Sequence, residues 1–188
     1  MVWILVAIIV VLLCVGAALA LKQRRTAQLR EGFGPEYERV VGERGDQRAA
    51  ESELRERRDR RRSYDIRPLR AEEQERYAER WQGTQRRFVD QPASAVDEAD
   101  RLVGEVMSER GYPVDDDFER QAADVSVDHP TVVENYRAAH AISQASSGQR
   151  ASTEDLRQAM VHYRALFDEL LADGANGQST TKDVKEVS

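Results

Sequence analysis

The stretch YAERWQGTQRRFVDQP, residues 77–92, sets three aromatic side chains into a chain that is 33% charged. At 100° per residue, Tyr77, Trp81, Thr84 and Phe88 fall within an arc of roughly 60°, and Glu79, Gln82 and Arg86 point away from it. The spacing predicts a helix with an aromatic stripe, which packs into a core or meets a partner. Asp90-Gln91-Pro92 then ends this helix and opens the next, because proline is tolerated in a first turn, where its missing N–H would have no partner. A helix, a corner and a second helix are the grammar of an all-α fold.

Working outward, Val96, Ala99, Val103, Val106 and Met107 line one face of the following helix. Gly111 suits its C′ stop, with Tyr112-Pro113 beyond. Asp115-Asp116-Asp117 favour a helix start by opposing the dipole, and Phe118, Ala122 and Val125 supply the apolar face that follows. Val127-Asp128-His129-Pro130 echoes Val89-Asp90-Gln91-Pro92, so a further helix is expected from Pro130, with Val132, Tyr136, Ala139 and Ser143 on one face. Ser146-Ser147-Gly148-Gln149 reads as a loop. Ser152 with Asp155 approximates a capping box. From there Leu156, Ala159, Met160, Tyr163, Leu166, Phe167, Leu170 and Leu171 form one broad apolar face, and Gly174 is expected to end the helix.

Upstream, Gly32-Phe33-Gly34-Pro35 should interrupt any helix arriving from the N-terminus. Asp46 is expected to N-cap a helix through Arg62. That helix has Leu54 as its only large apolar residue and i,i+4 pairs at Glu51–Arg55, Glu53–Arg57 and Glu56–Arg60, which suggest an exposed polar stalk. The run RERRDRRR, residues 55–62, reads as a solvated face or a lipid-headgroup contact rather than a nucleic-acid motif, because no aromatic is interleaved for base stacking.

Residues 2–21, VWILVAIIVVLLCVGAALAL, carry no charge, and twenty helical residues span roughly 30 Å, the thickness of a bilayer core. Lys22, Arg24, Arg25 and Arg30 follow at once and favour retention on the cytoplasmic side. Residues 2–21 are therefore expected to form a single transmembrane helix, with the N-terminus outside and the remainder cytoplasmic at the bacterial inner membrane. The rival reading is export after signal-peptide cleavage near Ala20. Against it stand the absence of a basic n-region and an apolar run longer than about 7–15 residues. Cys14, the only cysteine, lies inside this segment, so no intrachain disulfide is available.

The expected domains are thus a transmembrane helix at 2–21, a basic juxtamembrane segment and polar stalk at 22–63, a soluble helical bundle at 64–173 and a disordered tail at 174–188. Charge divides along the chain. Residues 22–91 hold 19 basic and 15 acidic residues, a net of +4, and residues 92–188 hold 9 and 19, a net of −10. The acidic distal half argues against nucleic acid as its partner.

Little of the sequence carries chemistry. His129, His140 and His162 show no HxxxH, HExxH or CxxC context. His129 is expected at a helix start, capping locally or exposed. The three aspartates at 115–117 lack the glycine and terminal glutamate of a calcium loop. No phosphate loop, nucleophile elbow or di-iron spacing occurs. No enzyme, cofactor or metal site is expected.

Four phrases together, FGPEYERVV (33–41), YDIRPLRAEEQERYAERW (64–81), FVDQPASAVDEADRLVGEVMSERGYP (88–113) and ADVSVDHPTVVENYRAAH (123–140), resemble a family of uncharacterised bacterial membrane or secreted proteins. The resemblance covers roughly residues 30–142. It implies a bacterial origin and an N-terminal membrane helix, and it brings no activity or catalytic residue with it. The expected function is a membrane-anchored helical scaffold or protein-interaction module, alone or as a homo-oligomer, contacting the lipid bilayer and another protein. Tyr77, Trp81, Phe88, Tyr112 and Tyr136 are its candidate core or partner-binding aromatics. The alternative is anionic-lipid or nucleic-acid binding through the basic half.

Overall fold

Gly34 marks the first break in the chain. Its φ of 48° lies where a side chain would be strained, and Pro35 behind it occupies the first turn of a new helix. The computed structural model describes the backbone of residues 2–114, 117–148 and 150–182, and the side chains of these except residues 2, 4–12, 14, 18 and 173–182. Among the described residues the chain forms eight helices and no strand. They are α1 (Val2–Phe33), α2 (Pro35–Arg44), α3 (Gln47–Arg62), α4 (Ala71–Phe88), α5 (Pro92–Arg110), α6 (Phe118–Val125), α7 (Val133–Ser147) and α8 (Thr153–Lys182). The all-α expectation holds. Two compact units divide the chain, residues 1–56 and 57–188, with the boundary inside α3.

In the first unit the interruption at Gly34 falls where the sequence placed it, and Asp46 caps α3 through its carboxylate, which accepts from the Ala49 N–H at 3.0 Å. Leu29, Phe33, Tyr37, Val40, Ala50 and Leu54 are buried. Helix α3 is therefore not an exposed stalk. Its inward face also carries Glu51, whose Oε1 accepts from Thr26 Oγ1 (2.8 Å) on α1, Tyr37 OH (3.2 Å) on α2 and Gln47 Nε2 (2.9 Å). A face with one leucine and one carboxylate looks polar in sequence because its packing depends on partners from two other helices. Glu53 pairs with Arg44 of α2.

Among the described residues no helix is long and apolar enough to cross a membrane. The expected span at 2–21 lies within α1, and the side chains at 2, 4–12, 14 and 18 lie outside the described residues.

The second unit is a bundle in which α5 packs against α4, α7 and α8, while α8 also meets α4 and α7. The aromatic stripe is core: Tyr77, Trp81 and Thr84 are buried, and the Trp81 ring stacks on Phe167 of α8 with centroids 4.6 Å apart. The predicted face of α5 is buried too, as is that of α8 except for Leu171, which is half-buried. Pro92 opens α5 as expected, although the N-cap position falls to Gln91, without a side-chain cap. The capping box of α8 forms, with Ser152 Oγ donating to Asp155 Oδ2 (2.7 Å) and accepting from the Asp155 N–H (3.2 Å). Gly111 ends α5 at φ 97°, and a Cβ there would lie 2.3 Å from the carbonyl oxygen of Asp65. The incoming chain is pinned at this corner by the Arg67 N–H donating to the Arg110 carbonyl at 2.9 Å.

Four expectations are corrected here. Pro130 does not start a helix: a turn closed by the Val133 N–H on the His129 carbonyl (3.2 Å) intervenes, and α7 begins at Val133. The two Val-Asp-x-Pro phrases are thus different devices, and the Asp128 carboxylate accepts from Tyr112 OH at 2.5 Å and from Arg61. His129 is buried, with its Nε2 3.4 Å from Arg110 Nη1. The arginine run is more than a solvated face, since Arg57 reaches Ser126 Oγ (3.5 Å) and Arg60 reaches Asp124 Oδ1 (3.1 Å). Finally, α8 passes through Gly174 to Lys182, because an isolated glycine weakens a helix by about 1 kcal/mol without ending it. Of the expected tail, residues 183–188 lie outside the described residues, as do Asp115 and Asp116. Asp117 caps α6 by accepting from the Arg120 N–H at 3.1 Å.

Candidate functional site

The second unit carries a groove of about 670 Å³ along α5, α6 and α7. Its α5 wall is built from Asp100, Gly104 and Ser108, spaced four residues apart and so stacked on one face, with Arg101 and Glu105 beside them. Gly104 leaves a gap in that wall: a Cβ placed there would meet nothing within 4 Å. Opposite stand Phe118 and Gln121 of α6 and Tyr136, His140 and Gln144 of α7, while Val114 in the α5–α6 connection is an exposed apolar side chain.

Most polar groups of the groove are engaged, several of them by residues behind it. Tyr163 OH donates to Asp100 Oδ1 at 2.8 Å, and Tyr136 OH donates to Gln121 Oε1 at 3.3 Å. Burial pushes both phenols well above the usual tyrosine range, and the Asp100 charge adds to the effect, so both remain neutral donors. The His140 imidazole lies flat on Phe118, centroids 3.6 Å apart. Its Nδ1 is 3.7 Å from Asp100 Oδ1, beyond hydrogen-bond reach, and its Nε2 faces Gln144 Nε2 at 3.4 Å. Glu105 is held by Arg80 of α4, with Nη2 to Oε1 at 3.1 Å. That pairing keeps its carboxyl below the ordinary range. The groove thus offers an aromatic floor, one glycine gap and a wall carrying Asp100, Arg101 and Glu105. Among the described residues no group of three or more His, Cys, Asp or Glu is placed to hold a metal ion.

The aromatics singled out in the sequence divide differently. Tyr77, Trp81 and Tyr112 are consumed by the core, Tyr136 is buried and lines the groove, and Phe88 is half-buried against the core. Tyr77 also lies beneath the guanidinium groups of Arg76 and Arg80, at 5.0 and 5.7 Å. Asp90, Pro92, Asp128 and Pro130 shape corners and take no part in the groove. Of the basic flank, Arg30 lies over the Tyr37 ring at 5.2 Å and pairs with Glu38 at 3.4 Å. Lys22, Arg24 and Arg25 are exposed. Sequence reasoning missed Asp100, Gly104 and Phe118 as a set. The available signal was the small or polar side chain at every fourth position of α5, on a face other than its apolar one. Also missed was Arg110, a buried cation that donates to the Leu170 carbonyl of α8 at 3.0 Å.

No protein-family model matches the chain, and neither a characterised protein nor a solved structure is detectably similar to it.

Proposed function

We propose that the protein is a membrane-anchored helical interaction module of a bacterial envelope, resembling in its sequence phrases the uncharacterised membrane family noted above. Its α5–α6–α7 groove receives a basic partner segment with an apolar anchor. The observation that carries this reading is the groove itself, an aromatic floor facing a helix wall left open at Gly104, with Asp100 and Glu105 beside the opening. The net −10 of residues 92–188 supports a basic partner through charge complementarity. Asp100 and Gln121 of the groove are already held by the hydroxyls of Tyr163 and Tyr136, as suits a binding surface more than proton transfer. Support for the anchor comes from α1, whose side chains Trp3, Leu13, Val15, Leu19 and Leu21 are all exposed.

The test uses the full chain with a photo-crosslinking side chain at position 114 and peptides of matched length and opposite charge. Basic amphipathic peptides should crosslink and acidic ones should not. Gly104→Leu should abolish the crosslink and leave the melting temperature within a few degrees, since the added side chain enters open space and glycine is the weaker helix former by about 1 kcal/mol. Equal crosslinking to both peptide charges, or none to either, would sink the groove reading. The anchor is checked separately by alkaline extraction of membranes, which an integral protein resists.

A further inference from the structure

The first unit holds a second concavity, about 430 Å³, lined by Leu21, Lys22 and Arg25 of α1 and by Arg48, Glu51 and Arg55 of α3. Four cations face it against a single carboxylate. The three α3 residues sit at i, i+3 and i+7, which places them on one face of the helix. All four cations are exposed, and among the described residues none of them makes a salt bridge. This contrasts with Arg30, Arg39 and Arg44 of the same unit, each of which is paired with a glutamate.

The one acid cannot neutralise the cluster. Glu51 is buried and its Oε1 already accepts from Thr26, Tyr37 and Gln47. Burial works against its charge, but these donors outweigh it and hold the carboxyl below the ordinary range. Glu51 therefore serves to fix α3 against α1, and the cations around it are left facing outward. Like charges gathered from two helices, with the buried Glu51 as the one carboxylate among four cations, form a receptor for an anion with several acceptor oxygens, and guanidinium groups match phosphate best.

We propose that Lys22, Arg25, Arg48 and Arg55 bind the phosphate of an anionic phospholipid headgroup at the end of the apolar part of α1. A lipid fits better than free phosphate because the lip of the cleft is Leu21, and Leu19 and Leu21 are exposed apolar side chains beside the cations. The proposal rests on the membrane-anchor reading. It goes beyond a general attraction of basic residues to a leaflet, since Arg48 and Arg55 lie on a different helix, more than 20 residues past Arg25, and are brought to it by the fold.

The experiment measures retention of phosphatidylglycerol, against phosphatidylcholine, on the full chain in neutral detergent by native mass spectrometry. Arg48→Gln with Arg55→Gln should weaken retention about 30-fold, from about 1 kcal/mol per basic side chain at roughly tenfold per 1.4 kcal/mol. Lys22→Gln with Arg25→Gln, on the other helix, should do the same, and helicity by circular dichroism should be unchanged in both. Undiminished retention in either double variant overturns the cleft. Inorganic phosphate binding as tightly as the lipid would make it a free-anion site, and a 20-mer oligonucleotide binding more tightly would make it a nucleic-acid surface; both overturn the lipid assignment. If alkaline extraction removes the chain from membranes, the anchor reading fails, and the detergent measurement still decides whether the cleft holds a headgroup.

Discussion

Glu73 shows how much one side chain settles. It is buried at the N-terminus of α4, where its Oε2 accepts from the Arg70 N–H (2.9 Å) and from Arg67 Nη1 (2.9 Å), and its Oε1 accepts from Arg70 Nε (2.8 Å) and Arg67 Nη2 (3.2 Å). The carboxylate thus caps the helix and ties the linker ahead of it to the first turn. The hydrogen bonds from Arg67 and then Arg70 hold its carboxyl far below the ordinary range. A carboxyl whose folded-state value is depressed stabilises the fold above the unfolded value of about 4.3, and that stabilisation fades as pH falls toward the folded value. Glu73→Gln should therefore cost about 2 kcal/mol at pH 7, the scale of a charged hydrogen-bonding group removed from buried partners. The gap between variant and parent should shrink as pH drops below about 4. Urea unfolding at pH 7 and pH 3.5 reads both effects, and a gap independent of pH would show that the charge of Glu73 is not what matters.

At the scale of elements, α3 is the instructive case. Its C-terminal turns belong to the second unit through Arg60 on Asp124 and through Tyr64, just beyond the helix, whose OH donates to Asp124 Oδ2 at 2.7 Å. Asp124 is buried, so both partners converge on one desolvated carboxylate. Asp124→Asn should lower stability by about 2 kcal/mol, or roughly 4–8 °C in melting temperature for a chain of this size. Burial and the Asp124 charge raise the Tyr64 phenol, so the substitution should also bring its titration down toward about 10. Absorbance at 295 nm follows this, and an unmoved titration would place Tyr64 outside the control of Asp124. This arrangement explains which elements could be read in advance. The stripe of α4, the stop at Gly111 and the Ser152–Asp155 box are decided within a few residues of themselves, and all three were legible. The arginines of α3 find partners more than 60 residues away, so composition alone gave them to solvent. Val-Asp-x-Pro misled for the same reason, since Asp128 spends its carboxylate on Tyr112 and Arg61 rather than on its own helix start. The groove was illegible as a site because it exists only where α5, α6 and α7 converge. Asp100, Gly104 and Ser108 hinted at a non-core face of α5 without saying what would stand opposite.

For the molecule as a whole, the division into two units makes an energetic claim. The first unit buries Phe33, Tyr37, Val40 and Leu54. The second has its own continuous apolar cluster from Leu69 to Leu170, with Trp81 stacked on Phe167 and Val103, Val106, Tyr163 and Leu166 fully buried. Separate cores imply separate cooperative openings, since the free energy of exposing a backbone amide is set by the apolar contacts that must break around it. Truncating a buried Trp costs about 3–5 kcal/mol, of which the stacked aromatic pair is part. In the full chain, Trp81→Ala should therefore speed hydrogen exchange in α4, α5 and α8 by about two to three and a half orders of magnitude, at tenfold per 1.4 kcal/mol. The amides of α2 around Val40 and Val41 should keep the protection they have in the parent, because no residue of their core has changed. Native-state exchange resolved by residue separates the two outcomes. If α2 loses protection in step with α4, the chain unfolds as one cooperative body and the interaction groove and the cationic cleft share a single stability. If it does not, each binding surface stands on a core of its own, and a ligand of one need not report on the folding of the other.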